Sequence, residues 1–436
     1  MMSDVQKLYH DRLCTPEEAL EQIKDGDLIA IGCDALEPIT MLSNLHKIHE
    51  RINEVTIHFG ACSQHYEFLY NPEFRHKFQC TSRFFGRTMR DAYQYGNVSL
   101  IPLHFHGCIT RYAEVWHPDV IMISGTRMDE HGYINLSLGG WEKHYLDHAR
   151  AVIVEVVDDM PNVPGEFELH ISQITAVIES GRKTPTNQTG SNLSETDLII
   201  GRNVAKLVED GSTIQLGIGN IPDAVAQSFK DKNDLGVHTE LLTNSICDLA
   251  ELGVVNNTRK TMYRGKTVAA FCIGSSKLYN WIDRNPGIYM MPISTVNNPF
   301  VIAQQYRMVS INTCIEVDLT GQIASESIGT RQWSGTGGAN DFAEGAIHSP
   351  EGKSIIAMPS SGTNRAGKRF SKIKAVLSEG AVVSISRNNI DYIVTEYGIA
   401  EMKCRTIRQR VENLISIAHP DFRDELREDA KRWNIH

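Results

Sequence analysis

No window of this sequence approaches the roughly 18 uninterrupted apolar residues that a membrane-spanning helix needs. Its start, Met1-Met2-Ser3-Asp4-Val5-Gln6-Lys7, lacks the apolar stretch of a secretory signal. Together these absences set the expectation of a cytoplasmic protein with no membrane partner. Basic runs are missing too. Against 53 Asp and Glu stand only 43 Lys and Arg, a formal net charge of -10, which argues against a nucleic-acid partner. No Cys-x-x-Cys occurs, and the nine cysteines sit singly at 14, 33, 62, 80, 108, 247, 272, 314 and 404. That spacing reads as nine reduced, buried and inert thiols rather than disulfides. His104-Phe105-His106 would place two imidazoles on one face of a strand. No third and fourth ligand follows at a zinc-site spacing, so no metal is expected.

What is present is ordinary material for large cores. With 436 residues, 41% of them hydrophobic and 22% charged, the chain has the length and balance of two soluble α/β domains. It also repeats itself. Ile23-Lys24-Asp25-Gly26-Asp27-Leu28-Ile29-Ala30-Ile31-Gly32 is echoed by Val208-Glu209-Asp210-Gly211-Ser212-Thr213-Ile214-Gln215-Leu216-Gly217. Both read as a helix end, an acidic residue, a glycine suited to a left-handed C-cap, and a short apolar strand. Helix-opening signals precede each copy, Thr15-Pro16-Glu17-Glu18 and Ser194-Glu195-Thr196-Asp197. A second echo, Asp129-Glu130-His131-Gly132-Tyr133 with Asp318-Leu319-Thr320-Gly321-Gln322, follows in the same order at nearly the same offset. In this reading Glu130 and His131 belong to a structural turn.

The expected architecture is therefore an internal duplication of one α/β unit, with mostly parallel sheets covered on both faces. The polar stretch from Glu179 to Gly190 marks the boundary, which divides the chain into domains 1–185 and 186–436. Val120–Ile123, Ala151–Val157 and Ala381–Ser386 read as strands. Ile407, Val411, Leu414, Ile415 and Ala418 line one face of a structural helix.

Two glycine loops carry the chemistry. Gly217-Ile218-Gly219-Asn220-Ile221-Pro222 lies between a strand and a helix, where the backbone can approach a ligand and free N–H groups can meet an anion. Glu240 follows about 20 residues later, which invites a dinucleotide reading. That fingerprint fails at its third glycine, where Pro222 stands. The second loop, Trp333-Ser334-Gly335-Thr336-Gly337-Gly338-Ala339-Asn340-Asp341-Phe342, suits a backbone that wraps a reacting group and offers it N–H donors.

Gly-Ile-Gly-Asn-Ile-Pro, then His-Thr-Glu, then Ser-Gly-Thr-Gly-Gly-Ala-Asn-Asp-Phe resembles the acetyl-CoA hydrolase/transferase family of class I CoA-transferases. Within that family the likeness is greatest to members acting on 4-hydroxybutyrate and on butyrate with acetate. It runs over nearly the whole chain and includes Met128–Tyr133, Thr395–Ala400 and Ile417–Arg423. The resemblance implies a CoA-transferase-like fold, with Glu240 as the catalytic glutamate and Asn297 as an asparagine near the thioester, Asn298 being an alternative register. It carries Gln215, Leu216, Gly217, Ile218 and Gly219 over as a CoA-contacting loop, and Gly335, Gly337 and Gly338 as the loop that binds the thioester. The implied reaction exchanges CoA between an acyl-CoA and a short-chain carboxylate such as acetate. Coenzyme A would be substrate and transient covalent adduct, with no tightly bound cofactor. An acyl-CoA hydrolase using the same glutamate is the first alternative, and a non-catalytic or NAD-binding protein the second. A homodimer is a general expectation for such an enzyme.

Overall fold

Thr15 and Glu18 exchange side-chain-to-backbone hydrogen bonds and so open helix α1 (Pro16–Leu20), with proline at its first position. The computed structural model describes residues 3–139, 143–187 and 192–435. After α1 the chain turns through Gly26, whose φ of 82° only glycine adopts without strain. The Asp25 carboxylate locks that turn by accepting from the Asn53 and Glu54 amides. Strand β1 (Leu28–Ile31), buried throughout, follows directly.

The chain forms two compact units, Met1–Asn187 with Ala269–Thr295, and Gln188–Val268 with Val296–His436. In the first, β1 is the centre of a seven-stranded sheet. Its other strands are β2 (Val55–Phe59), β3 (Phe78–Ser82), β4 (Val98–Leu100), β5 (Val120–Gly125), β6 (Ala151–Val156) and β7 (Ala176–Glu179). The order is β4-β3-β2-β1-β5-β6-β7 and every pairing is parallel. Strands β5 and β6 are buried at every residue, which explains their unbroken apolar sequences.

The second unit repeats this beginning. Ser194 and Asp197 cap α2 (Glu195–Ala205), and Gly211 turns the chain at φ 76°. Asp210 accepts from Asn233, as Asp25 does from Asn53. There follow β8 (Thr213–Leu216), α3 (Asn220–Gln227), β9 (Gly236–Leu242), β10 (Met308–Asn312), α4 (Ala339–His348), β11 (Lys353–Ala357), β12 (Tyr392–Thr395), β13 (Gly398–Glu401) and α5 (Ile407–Ile417). Here the order is β9-β8-β10-β11-β12-β13, parallel except for the antiparallel last pair. In both units the strand after the left-handed glycine has the next large strand on one side and a later one on the other. Sheet order reverses there, and α/β proteins bind ligands beyond the carboxyl ends of strands at such points.

The Asp-x-x-Gly echo is a duplicated turn. Asp129 Oδ1 accepts from the amides of His131 and Tyr133 at 2.9 and 2.8 Å. Asp318 Oδ1 accepts from those of Thr320 and Gln322 at 2.9 and 3.0 Å. Gly132 and Gly321 take φ values of 89° and 96°. Glu130 and His131 are exposed on this turn. In α5, Val411, Leu414 and Ile415 are buried below a Thr406–Gln409 capping box.

Three expectations need correction. Ala381–Ser386 forms no strand. The Val382 amide donates to Ser327 Oγ and the Ser384 amide to the Ile323 carbonyl, so no continuous ladder is available, and Val382 and Val383 stay nearly half exposed. His104 and His106 do not lie on a strand. Sheet pairing ends at Ile101, Pro102 has no N–H to continue it, and Phe105–Gly107 makes a single 3₁₀ turn that brings the two rings to 5.9 Å. Among the described residues no group of three His, Cys, Asp or Glu side chains is placed to hold a metal. All nine cysteines are free and seven are buried, but Cys404 is exposed and Cys14 partly so.

The polar stretch from Glu179 is tied down rather than loose. Arg182 pairs with buried Glu155 at 2.6 Å, and the Thr184 amide donates to Asp159 at 2.7 Å. Residues 188–190 of that stretch lie outside the described residues. Among the described residues, no helix is long and apolar enough to cross a membrane.

The paired turns make a testable contrast. Asp318 is buried and also accepts from the Thr320 hydroxyl and the Gln322 amide group, whereas Asp129 is half-buried. Asp318→Ala should lower stability by about 2–3 kcal/mol and Asp129→Ala by about 1 kcal/mol, because donors stranded in a dry turn lose more than donors that water reaches. Denaturant midpoints of the two variants, measured side by side, check the order.

Candidate active site

Strand β8 ends at the first glycine loop. Its last residues are buried, and the Gln215 amide is committed within the sheet: Nε2 donates to Asn312 Oδ1 and Oε1 accepts from Asn312 Nδ2, both at 3.2 Å. Leu216 is likewise buried, and its carbonyl accepts from the Thr239 hydroxyl. Gly217 to Gly219 then rise out of the sheet, with Ile218 58% exposed at the crest. Gly219, at φ 110°, opens α3, and a Cβ built there meets nothing within 4 Å. Backbone conformation therefore demands glycine at this position, and the space above the loop is open.

Glu240 lies one strand away, near the carboxyl end of β9, and is half-buried. Its Oε2 accepts from Asn297 Nδ2 at 2.6 Å. Asn297 is fully buried and follows the short helix Ile293–Val296. Asn298 does something else: its side chain caps Pro299–Ile302 by accepting from the Phe300 amide.

The second glycine loop closes on the same pair. A Cβ at Gly338 would stand 1.8 Å from Glu240 Oε2 and 2.1 Å from Asn297 Nδ2. Three distant segments thus meet at one carboxylate, and the third can do so only without a side chain. Gly338 is also the N-cap of α4, so Glu240 sits at the positive end of a helix of 10 residues, where negative charge is favoured. The loop is held from below by Glu326. Its backbone carbonyl accepts from the Trp333 and Ser334 amides, and its buried carboxylate accepts from the Thr336 hydroxyl at 3.4 Å. Gly337 supplies the turn at φ 59°.

Beneath β9 lies Lys260, fully buried. Its Nζ donates to the Val237 and Lys266 carbonyls at 2.7 and 2.8 Å. Burial lowers its pKa from 10.5 to about 7. Sequence alone gives no sign of this residue, nor of Glu326 beneath the glycine loop or of Gln305, whose Nε2 lies 3.4 Å from His238 Nδ1. In the sequence Lys260 stands in an ordinary polar stretch beside Arg259.

Thr395–Ala400 and Ile417–Arg423 brace each other, the Thr395 hydroxyl donating to the Ile417 carbonyl at 2.7 Å. Glu396 accepts from the Ser360 amide and hydroxyl, and the Arg423 guanidinium stacks 5.6 Å above the Tyr397 ring while donating to the Ala418 carbonyl.

A parallel α/β framework with a carboxylate framed by an amide and a glycine loop at its strand ends defines a class, the CoA-transferases. Comparison with known proteins agrees. The acetyl-CoA hydrolase/transferase N-terminal domain matches residues 2–186 and the C-terminal domain of the same family matches residues 274–430. The chain is 38% identical over 431 residues to the 4-hydroxybutyrate coenzyme A transferase of Clostridium kluyveri, covering 98% of this chain and 99% of that one. It is 35% identical to the butyryl-CoA:acetate CoA-transferase of Anaerostipes caccae, covering 98% and 97%. The crystal structure of RipA from Yersinia pestis superposes with a TM-score of 0.90 at 34% identity, covering all of both chains. The chain belongs to the acetyl-CoA hydrolase/transferase family and is a CoA-transferase enzyme.

Two outcomes follow from the site's packing. Gly338→Ala forces its methyl group into the Glu240–Asn297 contact, and CoA-transferase activity should fall about 100-fold, the effect of a misplacement near 1 Å. Steady-state assays of the purified variant, together with its melting curve, measure this. For Lys260, the folded protein binds fewer protons than the unfolded chain between about pH 7 and 10.5. Raising the pH through that window therefore favours folding. Relative to Lys260→Met, the wild type should gain stability with pH by up to about 1.4 kcal/mol per unit, with no such gain below about pH 7. Chemical denaturation at a series of pH values reads the difference.

Proposed function

We propose that this enzyme exchanges CoA between a short-chain acyl-CoA, such as 4-hydroxybutyryl- or butyryl-CoA, and acetate, with Glu240 as the nucleophile. The observation that carries the reading is the Glu240 carboxylate framed by the Asn297 amide and the Gly338 backbone. The substrate class rests on the names of the relatives in Clostridium kluyveri and Anaerostipes caccae, which extend over almost the whole chain.

In this mechanism a Glu240 oxygen attacks the thioester carbonyl of acyl-CoA. The C–S bond breaks, CoA leaves as thiolate, and an acyl-glutamyl anhydride remains. The thiolate then attacks the glutamyl carbonyl, which releases the free carboxylate and leaves a glutamyl-CoA thioester. An incoming acetate reverses these two steps and departs as acetyl-CoA. Overall one thioester is exchanged for another of similar energy, so neither ATP nor a tightly bound cofactor enters. Each step passes through a tetrahedral oxyanion. The Asn297 Nδ2–H and the backbone N–H groups of residues 335–338 are the donors for it, each worth about 3–4 kcal/mol in comparable acyl-transfer sites. Water has to be kept from the reacting groups, because it would hydrolyse both anhydride and thioester.

Sodium borohydride added after acyl-CoA should inactivate the enzyme and leave a reduced Glu240 in the peptide map. Full activity with Glu240 unmodified would refute the covalent intermediate. Glu240→Asp withdraws the carboxylate by about 1.5 Å, one carbon–carbon bond. This variant should lose most acetate-dependent transfer, by about 100-fold. It should also gain slow, acetate-independent thiol release, as water enters the gap with the shortened carboxylate as its base. Glu240→Ala should lose both activities.

A further inference from the structure

We propose that His238 is a positioning residue for the transfer reaction, holding Asn297 and α4 in place around Glu240 from beneath. The inference rests on the reading of Glu240 as nucleophile and adds to it a residue that touches neither substrate nor reacting atoms.

His238 is fully buried, two residues before Glu240 on β9, so both side chains point to the same face of the strand. Its Nε2 lies 2.8 Å from the Val296 carbonyl oxygen. A carbonyl can only accept, so Nε2 carries the hydrogen. Its Nδ1 lies 3.4 Å from Gln305 Nε2, an amide nitrogen that can only donate, so Nδ1 is the acceptor. Both nitrogens are thereby assigned and the ring is neutral. Burial, reinforced by the neighbouring Lys260, pushes its pKa down to about 3, so it stays neutral at any working pH.

The carbonyl that His238 holds belongs to the residue just before Asn297. Asn297 needs that support, because its Oδ1 is buried and has no partner among the described residues. The Nδ2 hydrogen bond to Glu240 itself orients the amide, and the backbone beneath sets the distance. The same ring also packs 6.2 Å from Phe342 on α4, whose amide donates to the Gly338 carbonyl at 3.0 Å. One buried imidazole therefore contacts all three segments of the site: its own strand carries Glu240, its Nε2–H fixes the entry to Asn297, and its face packs on the helix that follows Gly338.

The test compares His238→Gln, which can still present an Nε2–H to the Val296 carbonyl, with His238→Leu, which cannot. Wild type and both variants are assayed for acyl-CoA:acetate transfer, for the rate of borohydride-trapped adduct on Glu240, and for melting temperature. A fall in kcat of about 10- to 100-fold is expected for His238→Leu, with KM for acyl-CoA within about threefold of wild type and adduct formation slowed in parallel. His238→Gln should recover most of the loss. A role in stability alone would lower the amount of folded enzyme equally in both variants and leave kcat per trapped site unchanged, which would overturn the proposal. So would a His238→Leu enzyme with wild-type kcat. If His238→Leu does not fold, the imidazole 15N shifts of the wild type decide: an Nδ1–H tautomer overturns the proposal, and an Nε2–H tautomer with partial kcat retained by His238→Gln supports it. Absence of any Glu240 adduct in the wild type removes the nucleophile reading, and this inference with it.

Discussion

The tight packing of a carboxylate against a backbone is the constraint from which the rest of this site follows. Glu240 Oε2 lies 2.6 Å from the Asn297 amide nitrogen, a distance typical of a hydrogen bond to a charged acceptor. Gly338 comes so close that even a methyl group would overlap both partners. For that approach to persist, the glycine loop must be anchored elsewhere, and Glu326 does this with its carbonyl and its carboxylate. The helix behind Gly338 must point its amino end at the carboxylate, as α4 does. Asn297 must be held from its backbone, because its side-chain oxygen has no partner among the described residues.

Duplication supplied the platform, and the two copies diverged on it. Both units open with a capped helix, a left-handed glycine locked by an aspartate, and a central buried strand. In the second unit the loop after that strand turns at Gly219, φ 110°. In the first it turns at Asp34, also with positive φ, at 55°. Aspartate is among the few residues that tolerate this conformation. The buried carboxylates near the first unit's strand ends serve structure: Glu37 accepts from Ser63 and Tyr66, and Glu155 from Thr40, Met41 and Arg182. Such satisfied acids hold loops in place. In the second unit the same architecture frames Glu240.

Buried groups around β9 also tie the strand to its neighbours. Lys260 ties the Val237 and Lys266 carbonyls together, and His238 ties Val296. Both are bases whose protonation burial disfavours.

Much of this was legible in the sequence, because local rules carried it. The parallel α/β class followed from unbroken apolar strands alternating with helices. The duplication showed as two ordered echoes, each now a turn closed by the same hydrogen bonds at Asp129 and Asp318. Glu240 and the loop from Gly335 to Gly338 stood out as motifs, since glycine density and a Thr-Glu pair survive in linear order, while Asn297 came only with the family resemblance and with Asn298 as an alternative. Local rules failed where partners decide. Val382 and Val383 have the composition of a strand and no strand to pair with, and His104 and His106 were turned by a proline just upstream. Only the tertiary structure distinguished Asn297 from Asn298: adjacent in sequence, the first donates to the Glu240 carboxylate and the second caps Pro299–Ile302. It alone brought Lys260 and Gln305 against β9 and Glu326 beneath the glycine loop. A buried lysine and an exposed one read the same in sequence; burial and hydrogen-bond partners come from chain segments far away, and those are set only when the whole sheet has formed.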